Sequence, residues 1–92
     1  MKQGQKVEEA VQVYFRAIEL YIEEKNNVGL AYTYAELCDA YCILGQREQV
    51  IKAIKCILYI YDEISYDEVK TYVNNHITES VQIMGISIEE FE

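Results

Sequence analysis

The chain has 92 residues, of which 51% are hydrophobic, with no proline, four glycines, nine tyrosines among its eleven aromatics, and a net charge of −8. That length fits one domain with a modest core, and the apolar content excludes a disordered chain. Sixteen acids against eight bases argue against nucleic acid or an anionic membrane as partner, since both need a clustered basic surface.

The first predicted helix covers about residues 6–25. Val7, Ala10, Val11, Tyr14, Ala17, Ile18 and Tyr21 fall on one face at helical spacing. The polar run Glu23 to Asn27 ends it. A second helix, about 28–44, carries Leu30, Tyr34, Leu37, Cys38, Tyr41 and Leu44, and Gly45 supplies a left-handed C-cap. A third, about 47–63, has the face Val50, Ile51, Ile54, Ile57, Leu58 and Tyr61.

Ser65 and Glu68 then have the spacing of a capping box, with Ile64 and Val69 as its hydrophobic staple. They predict a fourth helix over about 66–84, with the face Val69, Val73, Ile77, Val81 and Met84, closed by Gly85. Ser87 and Glu90, flanked by Ile86 and Phe91, repeat the signal and predict a short helical turn at 88–91. The expected fold class is all-α, an antiparallel array of helical hairpins forming one domain over 1–92. No apolar run reaches the eighteen or so residues of a spanning helix, and "MKQGQKVEEA" lacks the apolar segment of a signal peptide. Three cysteines, an odd number, do not make a disulfide framework, so a reducing cytoplasm is expected.

A shift of 40 residues aligns Tyr21 with Tyr61, Tyr32 with Tyr72 and Gly45 with Gly85, so that helix ends coincide. Tyr34-x2-Leu37-Cys38-x2-Tyr41, the turn Gly45-Gln46 and Val50-x3-Ile54-x2-Ile57 follow in order. This stretch resembles a tetratricopeptide repeat (TPR), with Trp-x2-Leu-Gly-x2-Tyr on one helix and Ala-x3-Phe-x2-Ala on the next. Ala10-x3-Tyr14-x2-Ala17 matches an isolated second helix, and Thr71 to Met84 resembles a first helix with Ile77 and Thr78 in the Leu-Gly slots. The period of 40 exceeds the usual 34 and resembles the variant repeats of peptide-sensing regulators in Gram-positive bacteria. Asp62 replaces the final Pro, Val50 and Ile57 fill small-residue slots, and Glu90 stands where a faithful fifth helix would have a small residue.

The resemblance implies a non-enzymatic scaffold that binds a protein or peptide, with no cofactor. It places Tyr32, Glu36, Asp39, Tyr72, Asn75, His76 and Glu79 on a concave groove wall, whose acidity suits a basic or amphipathic ligand. Ala35 and Asp39 stand where members that clamp a carboxylate have Lys and Asn, so that activity is not implied. The same acids and histidine allow an alternative, a small metal-binding protein using Glu36, Asp39, His76 and Glu79; a purely structural oligomerisation module is a third reading. Cys38 and Cys42, one turn apart, read as small packing residues, with zinc or redox chemistry as the alternatives. Repeat arrays usually hide their ends under polar caps. Ile77, Val81, Ile86, Ile88 and Phe91 are therefore expected to pair two chains as a homodimer, unless residues 86–92 fold back on their own chain.

Overall fold

The structure, a computed structural model, describes residues 2–91, with side-chain placement from residue 5 to 91. The described chain is all-α: α1 (Lys2–Glu23), α2 (Asn27–Leu44), α3 (Arg47–Ile60) and α4 (Asp67–Met84), with 3-10 turns at Tyr61–Glu63 and Ile88–Phe91 and no strand. None of these helices is long and apolar enough to cross a membrane.

α2 is the central helix and packs against α1, α3 and α4. Its sequence explains this. Leu30, Ala31, Thr33, Ala35, Leu37, Cys38, Ala40 and Tyr41 are all buried, so α2 is covered around most of its circumference. The small side chains of Ala31, Ala35, Cys38 and Ala40 let neighbouring helices approach closely. α3 contributes Val50, Ala53, Ile54 and Ile57, and α4 contributes Val69 and Val73. Leu58, expected on the inner face of α3, is exposed; the buried stripe is centred instead towards Ala53, on its other flank.

The connections are short, so α1 with α2 and α2 with α3 form antiparallel pairs. α1 ends in a Schellman turn: Asn26 N–H donates to Tyr21 C=O at 2.8 Å and Lys25 N–H to Ile22 C=O at 3.1 Å. Lys25 takes the left-handed position, φ 55°. Asn26 then caps α2, its side chain accepting from Gly29 N–H at 2.9 Å. A Cβ at Gly29 would lie 2.7 Å from the Tyr21 ring, so glycine there lets that ring lie flat across the α1–α2 seam.

Gly45 and Gly85 are left-handed, φ 69° and 61°, and each closes its helix as its position suggests. The capping box expected at Ser65 and Glu68 does not form. α4 begins one residue later, with Tyr66 as N-cap and no side-chain cap, which takes Ser65 and Glu68 out of register. Ile64 and Val69 are nonetheless both buried in the core. At Ser87 half the expected box is made, Glu90 accepting from Ser87 N–H at 2.7 Å.

Three contacts fix the 3-10 turn after α3. Asn27 Nδ2 donates to Glu63 at 2.9 Å, and Tyr61 is held by Asn74 Nδ2 at 2.7 Å and by the Lys70 ammonium 5.1 Å over its ring.

Candidate functional site

Tyr32, Glu36 and Asp39 are spaced i, i+4, i+7 on α2, and Tyr72, His76 and Glu79 have the same spacing on α4. Residues so spaced share one helix face, and α2 and α4 lie side by side. The Tyr32 and Tyr72 rings meet at 4.7 Å between centroids, tilted by 56°, and Tyr72 meets His76 at 4.4 Å, tilted by 47°. Such tilted contacts are favourable for aromatic quadrupoles. His76 Nδ1 lies 2.9 and 3.1 Å from the two Asp39 carboxylate oxygens, and since a carboxylate only accepts, Nδ1–H is the donor.

Five of the seven residues expected on the groove wall thus come together: Tyr32, Glu36, Asp39, Tyr72 and His76. Asn75 and Glu79 stand exposed on α4 and take no part in the cluster's hydrogen bonds.

The cluster borders a groove of about 400 Å³. α2 gives it Glu36, Asp39, Ala40 and Ile43, α4 gives Tyr72, and α1 gives Lys6, Val7, Ala10 and Tyr14. The α1 wall was not legible as a site. Tyr14 sits on the helix's apolar face, where its spacing marks it only as core. Its hydroxyl was the one available signal.

The carboxylates act on the rings around them. Burial pushes the Tyr14 phenol above its ordinary range, and the neighbouring Glu36 and Asp39 carboxylates push it further. Tyr72 is raised by burial, then by Glu36 and Asp39. One pair of acids therefore reaches tyrosines on both sides of the groove.

A second hollow lies on the opposite face of α2, between α1 and α3, where Phe15, Tyr34, Leu37, Tyr41 and Cys56 line about 110 Å³. No sequence pattern marked it, because its walls come from three helices and Phe15 and Cys56 lie off their apolar stripes.

Among the described residues, no three His, Cys, Asp or Glu side chains gather in a way that would hold a metal ion. Of the four residues considered for one, Asp39 and His76 pair with each other, while Glu36 and Glu79 remain exposed. All three cysteines are free thiols. Cys38 is fully buried, and burial pushes its thiol up to about 12, with Cys42 and Asp39 adding to the rise. Its neighbour is Ser80, a buried hydroxyl in the core with no well-formed hydrogen bond, which lowers Cys38 and Cys42 slightly against the larger effect of burial. A thiol so reluctant to ionise suits packing rather than chemistry.

At the C-terminal end, Ile86 is buried in the chain's own core. Ile77, Val81 and Phe91 are partly buried and packed against that core. Of the five residues expected to meet a second chain, only Ile88 stands out, joined by Ile83, which the sequence pattern did not single out. The turn folds back because Gly85 reverses the chain and drops Ile86 onto the end of α4, with Ile86 N–H bonded to Val81 C=O at 3.0 Å.

No protein-family model, no curated protein sequence and no solved structure matches the chain.

Proposed function

We propose that the chain is a TPR-like, non-enzymatic helical scaffold that binds a basic or amphipathic protein segment in the groove between α1, α2 and α4. The observation that carries this reading is the groove itself: alkyl side chains, tyrosine rings and two carboxylates face one concave space of about 400 Å³. Those groups recognise rather than react. Tyrosine offers a rigid apolar ring with a hydroxyl at little entropic cost, and carboxylates select cationic partners. The arrangement also fits the order of helices expected for half a repeat, a whole repeat and another half. The three free thiols fit a reducing compartment, and the cytoplasm is the location adopted here.

The test is selection from a random peptide library displayed on phage, followed by calorimetry. Selected peptides should be rich in Arg, Lys and apolar residues, and Tyr72→Ala should weaken them by about tenfold. Selected peptides that bind Tyr72→Ala and Glu36→Lys as tightly as the parent chain would rule out this groove.

A homodimer through the C-terminal end is a second reading, favoured by Ile83 and Ile88, which are 67% and 80% exposed. Light scattering decides it. Twice the chain mass, reduced to one by Ile83→Glu with Ile88→Glu, supports the dimer, and a single chain mass in the parent excludes it.

A further inference from the structure

The groove is not uniform along its length. At one end Tyr14 and Tyr72 stand on opposite sides with Glu36 and Asp39 between them; at the other, Val7, Ala10, Ala40 and Ile43 make an alkyl wall. We infer that the ring-and-carboxylate end is a pocket for one arginine side chain of the bound segment, an inference that rests on the peptide-binding reading of the same groove.

The two acids have different roles there. Asp39 faces His76 Nδ1 with both oxygens and keeps further acceptor positions, so it adds charge and can share a guanidinium's hydrogen bonds. Glu36 is exposed and lines the groove beside Tyr14 and Tyr72, so its oxygens are open to a ligand. A guanidinium can donate to that carboxylate while its plane lies against a tyrosine ring, which combines an ion pair with a cation–π contact. An ammonium has no plane to stack and is more strongly hydrated, so the site should prefer arginine to lysine. The alkyl wall beside the pocket then covers the arginine's methylenes and a neighbouring apolar residue of the ligand.

Among the described residues, Lys6 is the one cation lining the groove. It precedes Tyr14 by eight residues, about 12 Å along the helix axis. Lys6 lines the same groove as Glu36 and Asp39, so a bound guanidinium competes with its ammonium for these carboxylates.

The experiment is an NMR titration of the intact chain with three probes: N-acetyl-arginine amide, N-acetyl-lysine amide and the uncharged N-acetyl-norleucine amide. The arginine probe should shift the Tyr14 and Tyr72 ring protons and the Glu36 and Asp39 amides. It should bind about fivefold or more tightly than the norleucine probe, an advantage that shrinks as salt rises. Glu36→Gln, a change at an exposed position, should remove about tenfold of the affinity with the amide spectrum otherwise intact. Equal binding of arginine and norleucine, equal binding of arginine and lysine, or no shift at these residues would each overturn the inference. The two readings separate cleanly. Display-selected peptides that fill the Tyr14–Tyr72 end with an apolar side chain would keep the peptide-binding function and sink the arginine pocket. Probe binding without any groove-binding peptide would do the reverse.

Discussion

Lys25 holds a φ of 55° where a Schellman turn normally places glycine. A side chain in that region costs about 1–2 kcal/mol, and glycine's greater freedom when unfolded offsets part of the gain from removing it. Lys25→Gly should therefore stabilise the chain by about 1 kcal/mol, read as a rise in the urea midpoint; a fall would show that the lysine side chain contributes there. Cys38 carries a prediction of the opposite kind. Its thiol ionises near 9.0 when unfolded and near 12 in the folded chain. Above pH 9 the unfolded state holds fewer protons, so stability that is whole below pH 9 falls as pH rises towards 12. Cys38→Ala should flatten that alkaline decline, and an unchanged slope would place the loss elsewhere. The sequence marked Cys38 as a packing residue, since a small apolar side chain at that spacing has few other uses. It gave no sign of Ser80, because a serine at core spacing looks the same whether it faces water or two thiols. Lys25 was equally hidden: a polar run announces that a helix ends, not which residue takes the strained position.

At the scale of elements, Arg47 is the joint between α3 and the chain's C-terminal end. Its guanidinium donates to Met84 C=O at 3.2 Å, to Gly85 C=O at 3.1 Å and to both Glu90 oxygens. The first two are carbonyls that the end of α4 leaves unpaired, and a cation there also complements the helix dipole. Glu90 in turn holds Ser87 N–H. The pair lies at the surface, so its effect is local order rather than global stability. Arg47 holds the Glu90 carboxyl below the ordinary carboxylate range, so the contact persists above that range and is lost as pH falls through the lowered value. Arg47→Ala should speed amide exchange at Ile86 to Phe91 while leaving the melting temperature within a few degrees of the parent's, since a solvent-screened surface pair contributes little to global stability. Unchanged exchange would mean that Ile86 and Phe91 hold the turn through packing alone. Helix positions were legible throughout, because each apolar stripe ends at a glycine or a polar run. The Arg47 clamp was not, since it joins residues about forty apart and depends on how α3 and α4 are placed.

The described chain measures 38 × 30 × 22 Å, with α2 at its centre. α2 gives one face to each hollow. Its Glu36 and Asp39 border the acidic groove beside α4, and its Tyr34, Leu37 and Tyr41 line the apolar hollow between α1 and α3. The residues on α2 and α4 were legible as a wall because a common shift aligns Tyr32 with Tyr72 and Glu36 with His76. Tyr14, Val7 and Ala10 were not, since a groove's second wall depends on the angle at which α1 crosses, which no residue spacing encodes. The most direct test of the groove's role is amide-shift mapping of the intact chain with a display-selected peptide. The shifts should gather at Tyr14, Glu36, Asp39 and Tyr72 and vanish in Tyr72→Ala; shifts confined to Phe15, Tyr34 and Cys56 on the opposite face, or spread without a centre, would contradict it.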